Sequence, residues 1–518
     1  MSLNFLRLHD PLLSVLFEDD DIIAIDKPYG YNAHTNDSKI AHSDFIQDGL
    51  IEIFEKNRGH KLHIIHRLDQ TTTGVMIFGK SMDAAKKYAE FFFQRQVKKT
   101  YWFITKKESN ESSFIIDQNI IHKGKELSAK TELFFLKKTK NFSLWQAKPL
   151  TGRNHQIRIH AQKAGISILG DEKYAGAPYS FLCLHNHRIE FPNGIVIEAK
   201  APAYFENLSL LDDMALARAY FEIDRRLRLY SSAQPDQCFR LIHSQNSATD
   251  LGYHLDQFGK ILILHWHREN WSTTDEKRFT LLAEALHKPL LVRFSDKNYL
   301  SFPAEKIPEK WIVKESDRSY EIHSSSYVGL FTNQRLQREW VAKNSHSKSV
   351  LNLFSQTGTY SVAAARSGAL QVTSVETNKA ALTWSRTNFK LNSEPLDKSL
   401  FLLRDSLTFL DQCLNKNLKY DLIICDAPSF MRCEKGFFKI EQSLEELLTK
   451  CISSLNPEGE FLFSTSFEDF YIDTILKIIL KVQSQLKLAR LEVNCLLASL
   501  DYELPDQKTN LKSFLIRT

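Results

Sequence analysis

The succession of strand, glycine turn, helix and strand between residues 349 and 376 constrains the fold of this chain more than any other feature. An apolar strand over 349–354 leads into a turn at Gly358 and a helix over 361–367, and a second strand ends at Glu376, 18 positions after the glycine. A glycine turn lets a ligand approach the backbone, and an acid that closes the next strand can accept hydrogen bonds from ribose hydroxyls. The pattern predicts a doubly wound parallel sheet with a nucleoside-containing ligand at its edge.

Two further segments agree with such a sheet. Residues 420–430 form a buried-strand pattern that ends at Asp426 and Pro428, and residues 459–464 supply another apolar strand. Asp405 precedes both, at a position suited to a loop that contacts adenine. Ligands of a doubly wound sheet lie beyond the carboxyl ends of the strands, so these side chains are expected at one site.

A separate feature near the amino terminus is the isolated carboxylate of Asp69. It lies between Arg67 and a run of three threonines, and the stretch ends in an alternating apolar segment over 73–78 that predicts a strand entering a core. Taken alone, the stretch fits a turn that Asp69 caps as well as it fits a catalytic carboxylate.

A basic and aromatic segment follows. Residues 94–107 contain five basic residues, including Lys99, and no acidic one, and Tyr101, Trp102 and Phe103 are interleaved with them. Basic groups can meet phosphates while aromatic faces stack on exposed bases. The alternative interpretation is a strand whose aromatic face points inward and whose lysines are solvated.

Residues 149–160 predict a turn at Gly152 followed by a helix that Asn154 can cap. At helical spacing, His155 and Arg158 share one face, opposite an apolar face. Arg153 adds a second basic residue in the turn. This helix presents a cation where a buried carboxylate would need one.

Composition sets the broad class. With 518 residues, the chain is long enough for about three domains. The seven cysteines are scattered and lack CxxC spacing, which argues against a disulfide framework and against a metal site. The sequence contains neither a signal-peptide pattern nor a long apolar run, so we expect a cytoplasmic protein without a membrane partner. A net charge of +5 permits a nucleic-acid partner without demanding one.

Over about residues 15–205 the chain resembles the RluA-type pseudouridine synthases. The segments that carry the resemblance are 26–30, 66–74, 99–101, 150–160, 169–174 and 184–185. The resemblance implies an α+β fold around a bent, mostly antiparallel sheet, an RNA cleft across its centre, and no cofactor.

By position, Asp69 matches the essential aspartate of that family, Tyr101 the tyrosine that packs on the base, and Arg158 the arginine that pairs with the aspartate. A carboxylate can act as a nucleophile or as the base that starts elimination at the sugar, and both routes remain open. The target uridine must be flipped out of its stack. We expect four further residues to contact RNA: Arg67, Lys99, Arg153 and His155.

The segment between this region and the sheet described first is predicted to be a helical linker over 206–237 and a small α/β module over 238–325. The arginine-rich run at 225–228 could touch RNA, although a solvated helix face is the favoured interpretation. Four histidines in the module are interpreted as structural.

From about residue 239 to residue 518 the chain resembles class I S-adenosylmethionine-dependent methyltransferases that modify cytosine carbon-5 or guanine N7 in large-subunit rRNA. The resemblance implies S-adenosylmethionine as the cofactor and Asp426 as a catalytic residue. The residues expected to bind the cofactor are Phe354, Ser355, Thr357, Gly358, Glu376, Asp405, Asp426 and Pro428.

Three departures from that pattern bear on the product. Ala427 replaces a proline, and Asn333 replaces an aspartate. Methylation of cytosine carbon-5 needs a thiolate that adds to the ring, but Thr465 stands where relatives of that specificity carry the cysteine. Cys425 and Cys433 flank Asp426, Cys425 is expected to be buried, and neither is expected to serve as the thiolate. A guanine nitrogen is already nucleophilic and needs only positioning, so it is the favoured acceptor.

The sequence therefore predicts a multidomain α/β protein with a pseudouridine synthase domain over 1–205, a linker, the small module, and a Rossmann-like methyltransferase domain over 326–518. Its predicted function is the isomerisation of uridine and the methylation of a base in RNA, with 23S rRNA as the expected partner and no prediction of the oligomeric state. One alternative is that the second half is a non-catalytic RNA-binding or ribosome-assembly platform. Another is a nicotinamide site, which the absence of GxGxxG disfavours.

Overall fold

The computed structural model describes residues 4–6, 8–35, 49–107, 109–122, 124–230, 234–243, 251–294, 298–302, 307–325, 328–433, 436–502 and 511–518. Part of the predicted linker, 231–233, lies outside these residues. The first part of the chain contains β1 Asn4–Leu6, β2 Phe17–Glu18, β3 Ile22–Lys27, α1 Leu50–Arg58, β4 His63–Ile64, β5 Thr73–Gly79, α2 Met82–Phe93, β6 Lys98–Thr105, β7 Ser113–Asp117, β8 Ile120–His122, β9 Lys125–Leu127, β10 Lys130–Lys138, β11 Ser143–Pro149, α3 Gln156–Lys163, β12 Leu184–Glu190, β13 Val196–Glu198, α4 Ala203–Glu206 and α5 Met214–Tyr230.

The remainder of the chain contains β14 Cys238–Ile242, β15 Tyr253–Phe258, β16 Ile261–Trp266, α6 Thr273–Ala285, β17 Leu290–Phe294, β18 Tyr299–Phe302, β19 Lys310–Glu315, β20 Arg318–His323, α7 Arg335–Asn344, β21 Ser349–Leu353, α8 Thr359–Arg366, β22 Gln371–Glu376, α9 Lys379–Leu391, β23 Ser399–Leu403, α10 Ser406–Lys416, β24 Tyr420–Ala427, β25 Phe430–Cys433, β26 Gly436–Lys439, α11 Ile440–Ser453, β27 Leu455–Thr465, α12 Ile472–Gln485, β28 Glu492–Leu496 and β29 Lys512–Arg517. The chain divides into two compact units.

The first unit, residues 11–233 with 272–282, is built on a mixed, largely antiparallel sheet. Its strand order is β2-β3-β5-β12-β6-β11-β10-β7, with β13 beside β12 and β4 beside β5. Only β5 and β12 run parallel among these pairs. The predicted α+β fold of this half is confirmed.

Gly74 explains how the Asp69 stretch enters this sheet. Its backbone has φ +108°, and a Cβ at this position would collide with the backbone carbonyl of Asn186 in β12. The Asn186 side chain donates to the Val75 carbonyl, with Nδ2 and O 2.8 Å apart. A glycine is therefore needed for β5 and β12 to approach closely, which fixes the loop that carries Asp69 at the centre of the sheet.

The second unit, residues 1–10, 234–271 and 283–518, contains the predicted doubly wound sheet. Its strand order is β1-β28-β29-β27-β24-β21-β22-β23, and β21 to β24 and β27 pair in parallel. Neighbouring residues of one strand enter two different cores: Leu351 packs with residues of α10 to α12, and Val350 packs with residues of α7 and α8. A parallel sheet covered by helices on both faces is the Rossmann-like arrangement that the sequence predicts.

The same unit contains the small α/β module, whose sheet has the order β14-β15-β16-β17-β18. Helix α6 lies between the parallel strands β16 and β17 in the chain, but its residues up to 282 group with the first unit. The hairpins β19–β20 and β25–β26 complete the unit.

The amino-terminal residues differ from the predicted boundary of the first domain at residue 1. The described residues among 1–10 group with the second unit, because β1 adds to its eight-stranded sheet as a parallel neighbour of β28. Arg335 fixes this segment: its Nη2 atom is 3.0 Å from a carboxylate oxygen of Asp10 and 3.0 Å from one of Asp501. All three side chains are buried.

Replacing Asp10 with alanine is expected to destabilise the second unit by about 2–4 kcal/mol, because Arg335 stays buried with one of its two carboxylates lost. The measurement is thermal unfolding followed together with the heat inactivation of methyl transfer. Asp20→Ala is a matched control, since Asp20 is exposed. A melting temperature within 1 °C of wild type for Asp10→Ala would contradict this role.

The arginine-rich run at 225–228 is not a fully solvated face. Arg226 and Arg228 are 1% and 4% exposed. Arg228 forms ion pairs with Asp224 and Asp26 and groups with the first unit. The preference for a solvated face was wrong at both positions. At Arg228, two carboxylates, one of them 202 residues away in sequence, compensate the buried charge.

Candidate active sites

The carboxylate of Asp69 lies in the loop before β5, beside the amino-terminal end of helix α3. Arg158 Nη1 is 3.2 Å from one Asp69 oxygen, and His155 Nε2 is 3.7 Å from the other. The Asp69 side chain is 23% exposed. The structure thus brings three of the predicted site residues together around a carboxylate that a ligand can reach.

Asp171 holds Arg158 in place. Its two oxygens accept hydrogen bonds from Arg158 Nε and Nη2 at 2.7 and 2.8 Å, and its side chain is fully buried. The Arg158 guanidinium also lies 5.1 Å from the Tyr174 ring centre. Bidentate pairing fixes the plane of a guanidinium, so the Nη1 atom is aimed at Asp69 before any ligand binds.

Tyr101 enters from β6, opposite Ala147 and Asn186 of the neighbouring strands. Burial raises the pKa of the Tyr101 hydroxyl, and the negative charge of Asp69 raises it further. The hydroxyl therefore stays protonated at neutral pH.

Lys27 anchors the Asp69 loop. Its side chain is fully buried, and Nζ donates to the carbonyl oxygens of Gln70 and Thr72 at 2.9 and 2.8 Å and to that of Pro28 at 3.1 Å. Burial lowers the pKa of Lys27 to about 7, against the opposing charge of Asp69. Because Lys27 is the last residue of β3, these hydrogen bonds tie the backbone that follows Asp69 to the end of that strand.

Replacing Lys27 with methionine is expected to lower the rate of pseudouridine formation about 10- to 100-fold, since a shift of about 1 Å in a reacting group has an effect of that size. A single-turnover assay on uridine-tritiated RNA measures it. Lys125→Met removes an exposed lysine as the control. A Lys27→Met rate within threefold of wild type would show that the anchor is dispensable.

The residues predicted to contact RNA differ in their surroundings. Arg67 is exposed, two positions before Asp69. Lys99 Nζ donates to the Thr151 carbonyl at 3.1 Å, and burial lowers the pKa of Lys99 to about 8. Arg153 Nε donates to the Ser128 carbonyl at 3.0 Å. Their contacts with RNA stay predictions.

His155 lies at the N-cap of helix α3, whereas the sequence predicted it within the helix. The helix begins at Gln156, so its N-cap residue is His155, with φ 54°, and the expected cap at Asn154 was wrong. His155 Nδ1 and the Tyr174 hydroxyl are 2.8 Å apart. Burial lowers the pKa of His155, which the charge of Asp69 partly opposes. A left-handed backbone at a non-glycine residue is uncommon, and here it turns the imidazole towards Asp69.

Asp171, Tyr174 and Lys27 are the site residues that the prediction omitted. Asp171 and Tyr174 occur in the turn over 169–174, and Lys27 precedes Pro28 in a turn. Each is a charged or aromatic residue in a turn within the segments that carry the resemblance, and this position is the signal that could have identified it.

In the second unit, the cofactor residues predicted from the sequence lie at the carboxyl ends of neighbouring parallel strands. Strand β21 lies between β22 and β24, which is the switch point of the sheet order. Ser355, Thr357 and Gly358 form the loop that leaves β21, and Phe354 begins it with φ 52°. A Cβ on Gly358 would collide with the Ser385 side chain, so α9 requires the glycine.

Glu376 joins this loop to the end of β22. One carboxylate oxygen accepts from the Gln356 backbone N–H at 2.8 Å, and the other accepts from the backbone N–H groups of Thr377 and Asn378 at 2.8 Å. Asp405 is the N-cap of α10 and accepts from the Thr408 N–H at 2.9 Å. The first Glu376 oxygen, Oε2, keeps a lone pair for a ligand, whereas the Thr377 and Asn378 N–H groups and the Thr377 hydroxyl occupy the second, Oε1.

A cleft of about 620 Å³ opens beside this arrangement. Gln356, Glu376, Asn378, Trp384 and Phe331 contribute to its walls. Small-molecule sites commonly have volumes of about 300–1,000 Å³. Of the predicted cofactor residues in the described part of the chain, Glu376 alone lines this cleft.

Asp426 is the penultimate residue of β24, which ends at Ala427, and Pro428 follows the strand. Burial raises the pKa of Asp426 to about 6, and a hydrogen bond from Gln334 and the charge of Arg338 oppose the rise. Cys425 is buried as expected, and burial raises the pKa of its thiol. Thr465 is the register partner of Ala427 and is fully buried.

The four histidines of the module lie close together. His254 and His265 are register partners, and the His254 ring is 5.2 Å from His243 and 4.6 Å from His267. Burial lowers the pKa of His265 to about 4.

Among the described residues, no group of three or more His, Cys, Asp or Glu side chains is arranged to hold a metal ion. No described helix is long and apolar enough to cross a membrane.

Comparisons with known proteins divide at the same two regions. Residues 21–163 match the family model described as RNA pseudouridylate synthase, and residues 288–509 match the one described as S-adenosylmethionine-dependent methyltransferase.

Two curated relatives are named as ribosomal RNA methyltransferases. A ribosomal RNA large subunit methyltransferase K/L from Colwellia psychrerythraea is 28% identical over 279 residues, which is 51% of this chain and 38% of that protein. The protein of the same name from Shewanella sp. strain MR-4 is 35% identical over 180 residues, which is 33% of this chain and 25% of that protein. The chain thus spans between a quarter and two fifths of the length of these two relatives.

Among solved structures, a candidate methyltransferase in complex with SAH aligns with a TM-score of 0.53 and 18% identity, over 70% of this chain and 98% of that one. At this identity the likeness concerns the fold.

Proposed function

We propose that this chain, which joins a domain of the RNA pseudouridylate synthase family to a domain of the S-adenosylmethionine-dependent methyltransferase family, modifies RNA by two chemistries. The observation that carries the first is the Asp69 carboxylate, paired with an Arg158 that Asp171 orients from its other side. We propose a pseudouridine synthase domain that ends near residue 205. The module over 238–325 would precede the methyltransferase domain proper.

The first reaction isomerises uridine to pseudouridine at Asp69. The carboxylate attacks the sugar or removes a proton from it, and the glycosidic bond to nitrogen breaks. The uracil rotates and its carbon-5 bonds to the sugar, which frees the sugar from Asp69 or returns its proton; the hydrogen on carbon-5 then leaves as a proton, and the released ring nitrogen takes one up. Arg158 positions the carboxylate. Tyr101 remains protonated beside it and packs on the base, which must be extruded from its stack to reach the site. Arg67, Lys99 and Arg153 supply positive charge for the RNA backbone.

The second reaction transfers a methyl group to an RNA base. The residues at the carboxyl edge of the sheet fit S-adenosylmethionine, because Glu376 retains acceptor capacity for ribose hydroxyls and borders a cleft of suitable volume. That cofactor supplies an electrophilic methyl group when bound. Asp405 would face the adenine, and the loop from Phe354 to Gly358 would approach the rest of the cofactor. Asp426 would orient the acceptor base.

A guanine nitrogen is the acceptor that the side chains favour. Cytosine carbon-5 needs an attacking thiolate, whereas Cys425 is buried with a raised pKa and Thr465 occupies the strand end. The relatives named ribosomal RNA large subunit methyltransferase support large-subunit rRNA as the substrate.

Isothermal titration with S-adenosylmethionine tests the cofactor site. We expect wild type to bind and Glu376→Ala to bind at least about 10-fold more weakly, since hydrogen bonds to a charged group contribute about 1.5–3 kcal/mol. Glu441→Ala, which removes an exposed glutamate, is the control.

No binding by wild type, or equal binding by Glu376→Ala, would favour a non-catalytic RNA-binding platform. That second candidate is motivated by Ala427 and Asn333. Binding of NAD instead would indicate a nicotinamide site.

A further inference from the structure

The hairpin formed by β25 and β26 begins four residues after Asp426. Its register pairs Phe430 with Lys439 and Arg432 with Phe437, and between these pairs Met431 faces Phe438. Directly opposed residues of an antiparallel pair share a face, and successive residues alternate between faces. The hairpin therefore has one face with Met431 and Phe438, called here the inner face. The outer face carries Phe430, Arg432, Phe437 and Lys439.

The inner face is anchored on the predicted cofactor site. Phe438 is buried, and its ring centre is 5.3 Å from that of Phe354, which begins the loop after β21. The Thr377 hydroxyl, one residue after Glu376, donates to the Met431 sulfur at 3.6 Å. The hairpin is thus fixed to the loop after β21 and to the residue that follows Glu376, which itself lines the cleft.

The outer face is exposed and has an unusual composition for a solvated surface. Phe430 and Phe437 are 56% and 65% exposed, and their rings lie 5.1 Å apart with an angle of 23° between their planes. Arg432 and Lys439 are exposed beside them, so both charged residues described on this face are basic. Two large exposed aromatic rings on a short hairpin indicate an interaction surface.

We propose that this outer face is a stacking platform for single-stranded RNA adjacent to the target base, an inference that rests on the proposed methyltransferase function. Bases stack on aromatic rings while Arg and Lys contact the phosphates that run beside them. Protein-docking patches are also rich in aromatic residues and arginine but are depleted of lysine and of charge at their core, whereas here a cation lies directly opposite each ring, Lys439 at Phe430 and Arg432 at Phe437.

The position of the platform gives it a role in the reaction. A base that is extruded towards Asp426 loses its stacking on both neighbours, and this unstacking opposes binding. An aromatic platform next to Asp426 replaces the lost stacking for a neighbouring nucleotide. The platform therefore acts on RNA affinity and leaves the transfer step itself unchanged.

Substitutions at Phe437 test the stacking. The assay follows transfer of a tritiated methyl group from S-adenosylmethionine to ribosomal RNA from a strain that lacks this chain. For Phe437→Leu and Phe437→Ala, we expect KM for RNA to rise about 5- to 100-fold with kcat within twofold, because both variants lose the π face on which a base stacks. The leucine variant keeps apolar area, so its effect isolates the loss of stacking. Phe437→Trp should stay within twofold of wild type. Tyr299→Leu removes another exposed aromatic ring of the same unit as the control.

Arg432→Gln tests the phosphate contact. Its RNA affinity should depend less steeply on salt, with the slope of log K against log salt concentration reduced by about 0.7, the value for one contact to a single strand. Arg490→Gln, which removes another exposed arginine, should leave the slope unchanged.

The outcomes separate this inference from the proposed function. If wild type methylates RNA and Phe437→Leu has an unchanged KM, the platform is overturned and the function stands. If wild type transfers no methyl group, the function fails, and ultraviolet crosslinking of a labelled 12-nucleotide single strand to the full chain decides the inference. Crosslinks on Phe430 or Phe437 support the platform, and their absence there overturns it.

Discussion

Replacing Asp69 with asparagine is expected to lower the rate of pseudouridine formation by at least about 1,000-fold, because an amide can neither attack the sugar nor remove its proton. Asparagine has nearly the same shape, and Arg158 keeps its bidentate pair with Asp171, so the fold should be unchanged. Tritium release from RNA labelled at uracil carbon-5 measures the effect, with methyl transfer by the same preparation as the internal control.

Asp69 would lose its assigned role if the asparagine variant kept more than about a tenth of the wild-type rate. Asp83→Asn provides a matched control, since Asp83 is an exposed aspartate in the first turn of α2. Wild-type methyl transfer by Asp69→Asn would show that its effect is confined to the first unit.

Replacing Asp426 with alanine is expected to lower methyl transfer about 100- to 1,000-fold, the size of effect seen when one polar group that positions or stabilises a reacting base is removed. The wild-type rate should also depend on pH. Burial raises the pKa of Asp426 to about 6, so the carboxylate becomes protonated as the pH falls through 6, and the rate should fall with it. Rates measured between pH 5 and 8 test this acid limb.

Asp411→Ala, which removes a half-exposed aspartate of α10, is the control for Asp426. It should keep both the rate and the pH profile of wild type. A pH-independent wild-type rate between 5 and 8, or an Asp426→Ala rate within threefold of wild type, would remove Asp426 from the reaction.

The sequence predicted those pairs of residues that belong either to one local pattern or to segments that the resemblance aligns. Asp69 and Arg158 belong to two segments that the resemblance aligned, and the structure places them 3.2 Å apart. The sequence did not assign Asp171 a role, because an acid in a turn has many local uses. Lys27 was missed because burial of its ammonium depends on three carbonyl acceptors that become visible only in the folded loop.

The amino-terminal strand could not be predicted for a related reason. Phe5 pairs with Cys495, and three residues carry too little periodicity to indicate a strand or its partner. The arginines of α5 show the same limit of local pattern. Their helical spacing predicted the helix correctly, but the ion pair between Arg228 and Asp26 is a non-local contact that turns an apparently polar face inward.

Mass-spectrometric mapping of ribosomal RNA is the most direct test of two independent chemistries in one chain. RNA is taken from a strain that lacks the chain and is complemented with wild type, Asp69→Asn or Asp426→Ala. We predict that Asp69→Asn loses one pseudouridine and keeps one methylated base, and that Asp426→Ala does the reverse. Retention of every pseudouridine in Asp69→Asn, or loss of both modifications in either variant, would contradict the account.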